Sequence, residues 1–154
     1  MIESYVTTTI DSDLIASAGV PTVQVNTGKE CHLDADLIRK AMDRIPLNKL
    51  DLLFIEKVGN LICPAEFPLG SDKGLVVISV TKGPYTVLRH PMMFTGANLV
   101  AINKADLARA MDVEPKKPSS DAAKISPKAV TVATSCKTGS SVEETIKALG
   151  LDGA

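Results

Sequence analysis

Apolar positions along this chain follow two rhythms. Short β-branched runs at residues 21–26, 50–56, 74–80, 98–103 and 130–134 are the size of buried strands and carry Gly, Pro, Asn or Asp near their ends. Between them, residues 10–18, 34–44, 86–96 and 141–149 place apolar side chains at helical spacing, with Asp, Thr or Ser near several of the starts. Strands alternating with helices predict an α/β fold: a mostly parallel sheet with helices on both faces, whose ligands sit in loops at the carboxyl ends of the strands. The segment 114–120, with Pro115, Lys116, Lys117 and Pro118, reads as a polar surface connection. No repeat or domain boundary is evident, so residues 1–154 are taken as a single domain.

Composition narrows the partners. At 154 residues and 45% hydrophobic content the chain has enough apolar material for a core without disulfides or structural metals. The formal net charge is −1 and the Lys and Arg residues are scattered, so neither nucleic acid nor an anionic membrane is expected as a partner. The uninterrupted apolar stretches are strand-sized and no basic-then-apolar leader opens the chain, which points to the cytoplasm. In a reducing compartment Cys31, Cys63 and Cys136 need explanations other than disulfides.

The strand-like run 98–103 ends in Asn103-Lys104-Ala105-Asp106, an N-K-x-D sequence where a strand gives way to a loop. A fixed carboxylate such as Asp106 accepts two hydrogen bonds from the N1 and N2 donors of guanine, and adenine offers no such pair. The aliphatic stem of Lys104 suits the purine face, and the Asn103 amide suits bracing of neighbouring loops. Further on, Ser135-Cys136-Lys137-Thr138-Gly139 follows another strand and resembles the S-A-K base-binding loop of GTP-binding proteins, with Ser135 and Lys137 as its polar members and Cys136 read as a small buried thiol. The bland alternative for N-K-x-D is a polar strand-to-helix turn.

The apolar run Leu52-Leu53-Phe54-Ile55 leads into Glu56-Lys57-Val58-Gly59, similar to the hhhhDxxG element that senses a nucleotide γ-phosphate. Glu56 is then a candidate to hold Mg²⁺ through water, and Gly59 to offer its backbone N–H to phosphate; otherwise they are a solvated acid and a turn glycine. The phosphate-cradling sequence G-x-x-x-x-G-K-[ST] does not occur. Gly28-Lys29 is followed by Glu30 and has Val23 at the first glycine position. The loop and its strand, central to the sheet, are expected before Met1, so the chain reads as an N-terminally incomplete G domain that binds GTP weakly or not at all.

Cys31-His32 lies between a strand and a helix, and Cys63-Pro64 falls just beyond Gly59. Thiolate and imidazole suit Zn²⁺ or Ni²⁺ far better than Mg²⁺ or Ca²⁺. The spacing is no zinc-finger pattern and leaves a buried Cys with a surface His as the alternative. Parallel strands, however, would send both loops to the same sheet edge. Asp36, four residues after His32, is an extra ligand, an acceptor behind one, or a plain surface acid.

Together, 26–35, 51–64, His90-Pro91 and Asn103-Lys104-Ala105-Asp106 closely resemble HypB, the nickel-incorporation GTPase family of [NiFe]-hydrogenase maturation. The resemblance implies a P-loop GTPase (SIMIBI-like) fold lacking its first strand and phosphate loop. It implies a nickel metallochaperone whose GTP hydrolysis, with Mg²⁺, is linked to nickel insertion, and a nucleotide-dependent homodimer. It also implies Ni or Zn on Cys31, His32 and Cys63, guanine nucleotide on Asn103, Lys104 and Asp106, and two partners: the nickel/zinc chaperone HypA and the hydrogenase large subunit. Departures from the family pattern are Lys57, where Asn is usual, and 81–86, which lacks an acidic pair. The rivals are a urease-type nickel GTPase, argued against by Cys63-Pro64-Ala65 where that family has Cys-Pro-His, a non-catalytic metal-binding module, and a generic α/β domain with neither ligand.

Overall fold

A computed structural model describes residues 1–5, 10–26, 33–57, 59 and 69–152. The chain forms two compact units, Met1–Gly70 and Ser71–Gly153. In the first, β1 (Ile2–Tyr5) is the central strand of a parallel sheet, with β2 (Val23–Asn26) and β3 (Ile55–Glu56) on either side. Two helices follow β1 and β2: α1 (Ile10–Ser17) and α2 (Ala35–Met42). One face of the sheet is apolar by register. Ile2 aligns with Val23 and with Ile55, and these pack against Val25, Leu33, Ile38 and Ala41.

α2 begins where the pattern asks for it, with the Asp34 carboxylate accepting from the Leu37 N–H at 2.7 Å. This satisfies one of the donors a helix start leaves open. Asp34→Ala is expected to cost about 1 kcal/mol of stability, measured by urea denaturation.

In the second unit, β4 (Leu75–Ser79), β5 (Leu99–Asn103) and β6 (Val130–Ala133) form a parallel sheet with β5 central. β5 is apolar and buried from Leu99 to Ile102, because both its faces are covered, and turns polar only at Asn103. Val100 and Ile102 pack with Val87, Phe94 and Ala122, from α3 (Thr86–Arg89), the 3-10 turn after it and α4 (Lys116–Ile125). Leu99 packs with Val132 and with Leu149, which caps α5 (Val142–Ala148). The expected α/β class, parallel strands with helices packed on them, is the one observed.

Three expectations need correction. The stretch 114–120 is not a connection but the first part of α4. Its prolines act as helix starters: Pro115 precedes the helix and Pro118 sits in its first turn, where no N–H is required. Residues 86–96 are not one helix. α3 stops at Arg89 and a 3-10 turn runs from Pro91 to Phe94, because Pro91 disfavours helical backbone at His90. The strand expected over 50–56 is reduced to Ile55–Glu56. β1 was not anticipated at all.

Candidate functional site

β5 and β6 are adjacent and parallel, so the loops that leave them emerge side by side. The two loops are tied together by hydrogen bonds. Ser135 Oγ donates to Asp106 Oδ1 at 2.6 Å. Asn103 Oδ1 accepts from its own loop, at the Lys104 N–H (2.7 Å), and from the other, at the Cys136 N–H (3.1 Å). The Ala105 N–H donates to the Thr134 carbonyl at 3.0 Å. Thr134 Oγ1 and the Ser135 N–H both donate to the Ser140 carbonyl, which closes the second loop on itself.

Lys104 takes a left-handed backbone, φ 60°, unusual for a residue with a side chain. Asn103 supplies the compensation, since its amide oxygen holds the Lys104 N–H in that geometry. The result is a prearranged carboxylate. Ser135 is almost fully buried at 1% exposure while Asp106 stays open to solvent, so the hydroxyl orients a carboxylate whose second oxygen remains available. Lys137 is exposed on the same loop. Cys136 is exposed, not buried as its size and type suggested: its place at a loop tip keeps the side chain off the core while its backbone N–H serves Asn103.

In the first unit, β2 and β3 run parallel on either side of β1, so their carboxyl ends lie on one edge of the sheet. Cys31, His32 and Cys63, which follow these two strands, lie outside the described residues. Among the described residues no three His, Cys, Asp or Glu side chains converge as a metal site would need. Asp36 is engaged by its own helix, with Arg39 at 2.7 Å and Lys40 at 2.8 Å. Its hydrogen bonds to Lys40 and Arg39 hold its carboxyl down to about 2. Gly59 is exposed. Burial pushes the Lys57 ammonium down and, with Asp11 nearby, pushes the Glu56 carboxyl up.

Sequence reasoning missed Glu3. It sits in the middle of β1, in register with Gln24 on one side and Glu56 on the other, and is 2% exposed. Its Oε2 is buried with no hydrogen-bond partner. Burial first, then Glu56 and Asp11, raise its carboxyl above the usual range. A raised folded value favours the neutral form, so this contribution to stability is fully present below the ordinary value of 4.5 and is lost as pH rises through the raised one. In metal-free buffer, Glu3→Gln is therefore expected to gain stability over the parent as pH rises from about 4 to 8, read by urea denaturation at each pH. A pH-independent difference would show that Glu3 is ionised alike in both states.

The family described as CobW/HypB/UreG, nucleotide-binding domain, matches residues 1–133. A crystal structure of HypB from Helicobacter pylori in complex with nickel superposes with a TM-score of 0.90 at 35% identity, covering 95% of this chain and 70% of that one. The chain belongs to the HypB family. The probable hydrogenase maturation factor HypB of Methanocaldococcus jannaschii is 49% identical over 128 residues, 83% of this chain and 58% of the relative. The hydrogenase maturation factor HypB of Escherichia coli K12 is 40% identical over 144 residues, 94% of this chain and 50% of the relative. This HypB-family chain thus spans about half the length of the curated relatives it matches. Among its described residues no helix is long and apolar enough to cross a membrane.

Proposed function

We propose that this chain is the guanine- and nickel-binding part of a hydrogenase-maturation GTPase, in which the nucleotide state governs nickel delivery. The observation that carries the guanine half is the Ser135–Asp106 hydrogen bond, with Asn103 bracing both loops. A carboxylate already oriented loses little freedom on meeting the N1 and N2 donors of the base, and Lys104 and Lys137 flank it. Nickel, or zinc in its place, is the cargo, and Cys31, His32 and Cys63 are the ligands. Support comes from the parallel strands β2 and β3, which send both ligand-bearing loops off one sheet edge, and from the likeness to a HypB solved with nickel.

Glu56, at the end of β3, fits a water-mediated contact to Mg²⁺, and Gly59 just beyond it fits a backbone contact to phosphate. Cys63 follows Gly59 by four residues, so a loop that answers to the γ-phosphate would carry a metal ligand with it. GTP hydrolysis would then be linked to nickel insertion. This reading includes a nucleotide-dependent homodimer, HypA and the hydrogenase large subunit as partners, and a cytoplasmic setting.

Equilibrium dialysis against Ni²⁺ and Zn²⁺, run beside GDP titration, tests the two halves separately. Saturable binding of both metal and nucleotide supports the proposal. Metal binding without nucleotide binding would favour a non-catalytic metal-binding module, and neither would leave a generic α/β domain.

A further inference from the structure

We propose that α3, the 3-10 turn after it and the start of α4 form a docking surface for an acidic peptide segment of a partner protein, one that sets apolar side chains among its carboxylates. The surface goes beyond the proposed function: none of its residues belongs to the base loops or to the loops of Cys31, His32 and Cys63.

Two independent features lead to it. The first is apolar. Tyr85, Leu88 and Met92 are 54%, 51% and 65% exposed, three large side chains close together in the chain. Tyr85 immediately precedes α3 and Leu88 lies one helical turn on, so the two share a side of it, while Thr86 and Val87 turn inward. Single exposed apolar residues are ordinary on a protein surface, but a cluster marks a contact. Tyr85 is also held in place: α3 packs against α4, and Lys117 of α4 sits 5.6 Å from the ring centroid. A fixed aromatic loses little freedom when a partner covers it.

The second feature is charge. The fold gathers basic residues that are dispersed in the sequence. Segments 82–89 and 114–128 carry Lys82, Arg89, Lys116, Lys117, Lys124 and Lys128 against only Glu114 and Asp121. Asp121 is almost fully buried and engaged by both Lys117 and Lys124, the latter at 3.8 Å, so one carboxylate offsets only one of two lysines. Lys82 and Arg89 are exposed on either side of Tyr85 and Leu88. The acidic pair of the HypB pattern, which would cancel part of this charge, is missing from 81–86. An apolar centre with a positive rim fits an acidic peptide that carries apolar side chains. A phosphate backbone would leave the apolar centre uncovered, and the single turn of α3 is too small a face to lie in a bilayer.

The test is fluorescence anisotropy of a labelled synthetic peptide, glutamate-rich with leucines at helical spacing, titrated with the full chain. Saturable binding that weakens with salt is expected, and replacing the leucines by serine at unchanged charge should weaken it by about tenfold or more. Leu88→Ser and Arg89→Glu should each cost severalfold. Lys117 is left in place because Asp121 depends on it. Thermal melts separate a lost contact from a lost fold, and a charge swap adds a readout that a merely structural role would not move: Arg89→Glu should regain affinity for a peptide with lysine in place of one glutamate. Equal binding by the parent and a Leu88→Ser, Arg89→Glu double variant would overturn the surface. So would no saturable binding at about millimolar protein, or tighter binding of a single-stranded oligonucleotide or of anionic phosphatidylserine vesicles than of the peptide.

Discussion

Asp106→Asn is expected to reverse the base preference of this chain, lowering GDP affinity by about a hundredfold or more and raising that of XDP. Two charge-assisted hydrogen bonds are at stake, each worth about 1.5 to 3 kcal/mol; the amide turns one into a donor–donor clash at N2 and leaves the other as a weaker neutral bond, together about two powers of ten or more. The direction follows from donors and acceptors. Guanine offers N1–H and the N2 amine, which a carboxylate accepts together. Xanthine has a carbonyl oxygen at C2, which the amide NH₂ of an Asn can meet while its oxygen still takes N1–H. The two loops make the exchange clean, because Ser135 Oγ can donate to an Asn oxygen as it does to Asp106 Oδ1.

Ser135→Ala, by contrast, should cost GDP only severalfold, since it loosens the carboxylate without removing it. Competition between GDP and XDP for the same protein measures the ratio, which does not depend on how firmly the phosphates are gripped. Unchanged discrimination in Asp106→Asn would remove Asp106 from the base site.

Local chemistry made that site legible in the sequence, whereas much of the rest depends on contacts distant along the chain. Asn103, Lys104, Asp106 and Ser135 occur in short motifs whose proposed roles follow from side-chain type once a strand precedes them. Their convergence needed only that β5 and β6 be neighbours, which an alternating strand-helix pattern favours. β1 was illegible for the opposite reason. Four residues with a glutamate in the middle carry no strand signature, and Glu3 is buried by neighbouring strands that only the fold supplies.

α4 was hidden because Pro115 and Pro118 break helices in most positions, and only their place at its start reverses that meaning. Pro91 worked the other way, ending a helix that the apolar spacing alone extended to residue 96. Cys136 shows the limit of residue type as a guide. Cysteine is usually buried, but the backbone geometry that serves Asn103 puts this one in solvent.

Cys31→Ala and Cys63→Ala are each expected to lower Ni²⁺ affinity by at least about a hundredfold, since even groups behind the ligands typically contribute 10- to 100-fold. The sheet makes a shared ion geometrically reasonable. Neighbouring strands lie about 4.8 Å apart, so the ends of β2 and β3, separated by β1, are about 10 Å apart. Cys31 lies five residues past Asn26 and Cys63 seven past Glu56, and at up to about 3.5 Å per residue either loop spans that gap. Because thiolates rather than thiols bind, Ni²⁺ affinity should rise with pH until both cysteines are deprotonated, and the rise should be shallower in each single variant.

The decisive comparison is the double variant. If Cys31 and Cys63 grip the same ion, removing the second after the first should cost much less than removing it alone, and a double-mutant cycle read by equilibrium dialysis would show that coupling. Strict additivity, or a Cys63→Ala protein that binds Ni²⁺ as the parent does, would mean that the two loops share an edge of the sheet without sharing a metal.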